Sequence, residues 1–119
     1  MKKYDLLIKN GAVVLADKVE ACTIAVKDGR IAALSTVPID DGEAAEVLDA
    51  KGLTVMPGAV DCHTHLGIYA PLDADTASET KAALTGGVTT MMSYFRTGAH
   101  YMNKTGPYHE IFKEALELT

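Results

Sequence analysis

The stretch PGAVDCHTHLG, Pro57 to Gly67, decides how this sequence is read. A Pro-Gly turn leads into Ala59-Val60, then Asp61, His63 and His65 fall at every second position. In an extended strand, residues two apart project from the same face. Asp61, His63 and His65 therefore share one side of a strand whose end is polar. Two imidazoles about 6–7 Å apart at their Cα atoms can converge on one cation, and imidazole suits zinc, iron, manganese and nickel. The bland alternative is a pair of solvated or hydrogen-bonded histidines. Position raises the metal reading to stand beside the bland one, because ligands collect at the carboxyl ends of strands that open βα units. Asp61 is a candidate to accept an N–H from a ligating ring, which would fix its tautomer and orientation. Its other reading is a cap on the strand end.

The residues that follow predict such βα units. TASETKAALT (76–85) reads as a helix capped by Asp75 or Thr76, with Glu79 in its first turn and Gly86-Gly87 ending it. VTTMMSYF (88–95) is an apolar run of the kind found in strands buried on both faces. Residues 96–106 read as a loop. PYHEIFKEALEL (107–118) reads as a helix with Pro107 near its first position and Ile111, Phe112, Ala115 and Leu116 at helical spacing. Strand–helix–strand–helix is the pattern of a parallel sheet with helical crossovers.

Upstream, the pattern is one of short strands. YDLLIK (4–9) and AVVL (12–15) flank Asn10-Gly11, and CTIAVK (22–27) and RIAALS (30–35) flank Asp28-Gly29. Both dipeptides accept positive φ, the demand of a tight hairpin. ADKVEA (16–21) reads as a polar turn, residues 36–46 as an acidic loop, and VLDA (47–50) and LTVMPG (53–58) as further strands. The expected fold class is therefore α/β: an antiparallel β-module over residues 1–55, then two βα units over 56–119. Two parallel strands leave open edges and an uncovered face.

Composition narrows the function. The chain has 119 residues, 48% of them hydrophobic, enough for a small core. Its net charge of −5, with acids and bases interspersed, argues against nucleic acid as a partner. No polybasic or amphipathic basic segment suggests a membrane surface, and no apolar run is long enough to span one. The first residues lack the apolar core of a signal peptide, so a cytoplasmic location is expected. Cys22 and Cys62 form no recognisable disulfide framework, and strand alternation places Cys62 opposite the histidines as a small buried residue. His100 in the loop and His109 in the last helix read as surface residues. Asp73 and Asp75 read as helix-capping or solvated carboxylates.

YDLLIKNGAVV, VKDGRIAAL, VLDAKGLTVMPGAVDCHTHL and ETKAALTGGVTT, in that order, resemble the amidohydrolase superfamily. The branch they most resemble is the hydantoinase and dihydropyrimidinase group of cyclic amidohydrolases, with the allantoinase and dihydroorotase-like branches as alternatives. The likeness runs along essentially the whole chain. It implies a (β/α)8 TIM barrel beside a β-sandwich built from both chain termini. Residues 1–55 would be the sandwich part, and residues 56–119 the first two barrel units, an incomplete barrel. His63 and His65 match the metal-ligating pair on the first barrel strand. The implied cofactor is a divalent metal, most often zinc, as a binuclear centre bridged by a carboxylated lysine and a hydroxide. That hydroxide attacks a ring amide carbonyl of a small cyclic amide, and an aspartate shuttles the proton.

The departures from the family pattern carry their own expectations. Where dihydroorotate-hydrolysing members place an arginine two residues after the pair, this chain has Gly67, which argues against that branch. Tyr69 is a candidate to line a pocket for a neutral ring, and Arg96 to face the site; packing and surface roles are the alternatives. Ser93 stands where an acidic residue is more usual. No lysine matches the bridge, and the later histidines and catalytic aspartate are absent, so the catalytic residues are expected beyond residue 119. The isolated chain is expected to be inactive. The alternatives are one chain of a split enzyme completed by a complementary chain, a truncated product, or a non-catalytic assembly protein related to dihydropyrimidinases. The His pair argues against the last. The complete enzyme is expected to be a homo-oligomer.

Overall fold

The computed structural model of the chain describes residues 2–96 and 104–119. The chain divides into two compact units, residues 1–57 and 58–119.

The first unit holds two sheets. One contains β1 (Tyr4–Lys9), β4 (Thr23–Lys27), β5 (Arg30–Ser35) and β6 (Ala44–Asp49), in the order β5-β4-β1-β6; the other contains β2 (Ala12–Val14), β3 (Val19–Ala21) and β7 (Thr54–Val55), in the order β3-β2-β7. β4 pairs antiparallel with both β1 and β5, and β2 antiparallel with β3. However, β6 lies parallel to β1 and β7 parallel to β2, so the module is mixed rather than antiparallel. Asp28-Gly29 makes the expected hairpin, with φ of 51° and 70° between paired β4 and β5. Asn10-Gly11 does not. Asn10 takes φ of 64°, but β1 and β2 belong to different sheets. The kink passes the chain from one sheet to the other while β6 and β7 make the same crossing alongside. Ala50 donates its N–H to the Lys9 carbonyl and Ala12 to that of Leu53, at 2.8 and 3.0 Å.

Two other expectations need correction. Val19–Ala21 is a strand, not part of a turn. Its polar look reflects its place at the edge of the smaller sheet, and the turn is confined to Leu15–Lys18, closed by a 2.8 Å backbone hydrogen bond. The acidic loop ends early: Asp41–Glu43 forms one 3-10 turn, capped by the Asp40 carboxylate, and β6 begins at Ala44. Alternation along β1 sends Leu7 and Ile8 to opposite faces. Leu7, fully buried, packs with Ala25 and Ala44, while Ile8 joins Val13, Cys22, Ile24, Val26 and Val55 in a cluster drawn from both sheets. Burying a leucine in this way contributes about 1.5–3 kcal/mol.

The second unit is a βαβ element with a further helix. β8 (Ala59–Thr64) lies parallel to β9 (Val88–Ser93), and α1 (Leu72–Thr85) connects them; α2 (Tyr108–Glu117) follows. α1 starts four residues before the expected helix. Pro71 occupies its N-cap with no side-chain bond, and Asp73 and Asp75 fall in its first turn, where the helix dipole favours carboxylates. Gly86 and Gly87, the latter at φ of 85°, end it as expected. Pro107 is likewise the N-cap of α2 rather than its first residue. Leu66, Leu72 and Ala115 form the local core with Phe95 against them; Ile111 and Ala115 are buried, while Phe112 and Leu116 are exposed.

β9 is not buried on both faces: Thr89, Thr90 and Met92 are exposed, because β8 is its one neighbour among the described residues. For the same reason Cys62 is exposed rather than buried. Among the described residues, no helix is long and apolar enough to cross a membrane.

Candidate metal centre

The parallel register of β8 and β9 builds the site. Asp61 pairs with Met91 and Thr64 with Ser93. Beyond the ladder, three hydrogen bonds keep the two strand ends together. Tyr94 donates its backbone N–H to the Thr64 carbonyl at 2.9 Å, Thr64 donates its hydroxyl to the Met92 carbonyl at 3.2 Å, and Leu66 donates its N–H to Ser93 Oγ at 3.3 Å.

On this frame His63 and His65 turn to each other. Their Nε2 atoms are 3.1 Å apart, with ring centroids at 5.1 Å and planes at 61°. The Tyr94 ring lies against both, at 4.6 Å from His63 and, stacked at 23°, 5.3 Å from His65. Asp61 Oδ1 accepts the backbone N–H of His63 at 3.0 Å. Of the two roles open to Asp61, this bond is the strand-end cap. After His65 the chain turns through Gly67 at φ of 73°, and Asp75 Oδ2 accepts the Gly67 N–H at 2.7 Å. The Asp75 carboxylate thus ties the start of α1 to the turn behind the histidines instead of capping the helix.

Two nitrogens bound to one cation at 2.0–2.1 Å lie about 2.9 Å apart in octahedral and about 3.4 Å apart in tetrahedral geometry. The observed 3.1 Å falls between these values. Without a cation, one N–H···N hydrogen bond accounts for the same distance.

The other candidates are dispersed. Tyr69 is 98% exposed, and Arg96 is exposed beyond the end of β9. Neither makes a hydrogen bond or ring contact with the pair among the described residues. His109 is exposed on α2, 3.9 Å from Glu110, and His100 lies outside the described residues. Among the described residues, no group of three or more His, Cys, Asp or Glu side chains could hold a metal ion. Tyr94 carries no motif of its own in the sequence, unlike His63 and His65. Parallel pairing of two successive strands puts Tyr94 next to the end of β8, and that register was the available signal.

No protein-family model matches the chain. Over 90 residues it is 46% identical to allantoinase of Escherichia coli O1:K1, a match covering 75% of this chain and 19% of that one. The chain thus spans about a fifth of the length of the curated relatives it matches. Its fold superposes on the L-hydantoinase (dihydropyrimidinase) from Arthrobacter aurescens with a TM-score of 0.73 and 31% identity, covering 93% of this chain and 24% of that one. It also superposes on the N-acyl-D-glutamate deacylase from Bordetella bronchiseptica, solved with zinc and a phosphonate mimic of the tetrahedral intermediate, with a TM-score of 0.62 and 26% identity. That match covers 77% of this chain and 19% of the deacylase.

Proposed function

Because the chain belongs to the amidohydrolase superfamily and matches the N-terminal part of its cyclic amidohydrolases, we propose that it supplies the His63–His65 half of a divalent metal centre for cyclic amide hydrolysis. The observation that carries this reading is the 3.1 Å separation of the two Nε2 atoms at the carboxyl end of β8. Superfamily relatives are metal-dependent, and the deacylase was solved with zinc, so zinc is the proposed ion. When bound, it supplies a Lewis acid for the ring carbonyl.

The chain's own residues position that chemistry. His63 and His65 present neutral ring nitrogens as donors, and Asp61 holds the strand end from which His63 projects. Tyr69 and Arg96 are proposed to meet the substrate only when further chain surrounds them. Residues 1–55 form the sandwich part and residues 56–119 the first barrel units, and cytoplasmic location and homo-oligomer formation belong to the same proposal. The substrate is a small cyclic ureide. Allantoin is a substituted hydantoin, so the allantoinase and hydantoinase relatives converge on one ring. Gly67 leaves that ring without the carboxylate clamp of a dihydroorotate site.

The 119 residues alone are proposed to bind metal weakly and to hydrolyse nothing, because two nitrogens do not complete a catalytic coordination sphere. A second reading, one chain of a split enzyme, is favoured by β8 and β9 pairing only with each other among the described residues. The test is Co(II) or Zn(II) uptake by the chain, alongside hydantoin and dihydrouracil hydrolysis. Metal uptake lost in His63→Ala and His65→Ala, without turnover, supports the reading. Turnover abolished by His63→Ala overturns the proposed inactivity, and uptake indifferent to both substitutions overturns the metal centre.

A further inference from the structure

We infer that Tyr94 is a positioning residue for the histidine pair: its ring holds both imidazoles in the orientation that brings their Nε2 atoms together. The inference rests on the metal reading above and extends it to a residue from the neighbouring strand.

His63 and His65 are exposed, and an exposed imidazole is free to leave any one rotamer. The direct Nε2···Nε2 contact draws the two rings together, and a ring packed against both narrows their rotamers further. Asp61 touches only the backbone of His63. Tyr94 is the aromatic side chain in ring contact with both histidines among the described residues, 4.6 Å from one and 5.3 Å from the other. It is fixed from behind, because its own N–H is bonded to Thr64, the residue between the two histidines. The bond from Leu66 to Ser93 holds the next residues of both strands in step. The ring thus stands on a backbone zipped to that of the pair, while 55% of Tyr94 stays exposed. Supports that orient ligands commonly change metal affinity by 10- to 100-fold, and a flat ring contact, weaker than a hydrogen bond to the ligand, belongs at the low end.

The experiment titrates the full 119-residue chain with Co(II), followed by visible absorption, and competes it with Zn(II). Tyr94→Phe keeps the ring, Tyr94→Leu keeps bulk without a flat face, and Tyr94→Ala removes both. Metal-free proton spectra of the imidazoles give a second readout, since the Tyr94 ring current shifts their C–H resonances. The expected result is affinity within about twofold of the parent for Tyr94→Phe and about tenfold weaker for Tyr94→Leu and Tyr94→Ala. The imidazole shifts should be retained in the first and lost in the other two, with unchanged amide resonances in the 1–57 unit. Parent-like affinity in Tyr94→Leu, while His63→Ala has lost binding, overturns the inference and leaves the metal centre standing. Equal losses in Tyr94→Phe and Tyr94→Ala overturn it too, by making the hydroxyl the effective group. Should Tyr94→Ala unfold, the other two variants decide. The absence of any ring-current shift in the parent overturns the inference without a variant, and undiminished binding in both histidine variants removes the metal reading on which it rests.

Discussion

Gly58, at the entry to β8, lies against the side chain of Thr89 on β9 with no room between them for a Cβ; even Thr89 Cβ would stand 2.6 Å from it. The parallel pairing that carries the histidines thus depends on a missing side chain. Gly58→Ala should destabilise the second unit by about 1–3 kcal/mol, the usual cost of overpacking. Thr89→Gly, which removes that Cβ as well, should relieve much of that cost, so the double variant should be less destabilised than the two singles added. Chemical denaturation followed at amides of 58–96 reads both effects, and strict additivity would show that the close approach does not matter.

Asp5 contributes to the acid sensitivity of the first unit. Its carboxylate accepts from Lys27 Nζ at 2.9 Å and from the Asp28 N–H at 2.6 Å, and these bonds, Lys27 first, hold its pKa below the ordinary 3.8. A depressed carboxylate stabilises the fold above its unfolded pKa, and the contribution disappears as pH falls through the lower folded value. Asp5→Asn should therefore be less stable than the parent at neutral pH, and the difference should close as pH drops below about 4. Urea midpoints measured from pH 7 to pH 2.5 check this. A difference that stays constant with pH would assign the effect to packing.

The same two dipeptides show what was legible in the sequence and what was not. Asn10-Gly11 and Asp28-Gly29 both admit positive φ; Asn10 takes it at 64° and Gly11 does not, whereas Asp28 and Gly29 both do, at 51° and 70°. Only the second closes a hairpin. A residue's tolerance of the left-handed region is local, whereas the choice of strand partner depends on Ala50 and Leu53, some forty residues on. The βαβ unit was readable because a helix between two apolar strands restricts the topology. His63 and His65 were readable because alternation along one strand fixes their shared face. Tyr94 required the cross-strand register, and the exposure of Cys62 the number of strands beside β8 among the described residues, so neither could be read from its own neighbourhood.

Asp75 was expected at a helix cap and instead reaches back to the turn behind the histidines. Its Oδ2 accepts the Gly67 N–H at 2.7 Å, where both residues are at least partly shielded from water. A hydrogen bond to a charged group contributes about 1.5–3 kcal/mol when shielded, and partial exposure places this one near the lower end. Asp75→Ala should lose roughly 1–1.5 kcal/mol and speed hydrogen exchange at the Gly67 amide more than at amides of β1. Unchanged Gly67 exchange would mean that the turn is held by its φ of 73° without the carboxylate.

Asn10 combines two effects that substitutions can separate. Its φ of 64° favours glycine or asparagine, and its Nδ2 donates to Asp49 Oδ1 at 2.8 Å. That bond, with the Lys51 N–H as second donor, lowers the Asp49 pKa. Asn10→Gly keeps the backbone conformation and removes the hydrogen bond, whereas Asn10→Ala removes the bond and adds the steric cost of a Cβ in the left-handed region, about 1–2 kcal/mol. The expected order of stability is parent, then Asn10→Gly, then Asn10→Ala. The step to glycine should shrink when Asp49 is protonated at low pH, because the bond weakens as the carboxylate loses its charge. The step from glycine to alanine should not change with pH, since it is steric. Urea unfolding of the three proteins followed from pH 7 down to pH 2.5 separates the two. A glycine-to-alanine step near zero would mean that the crossing between the sheets relaxes, and that the close packing of Gly11 against Val55 and Ala50 does not hold the kink in place.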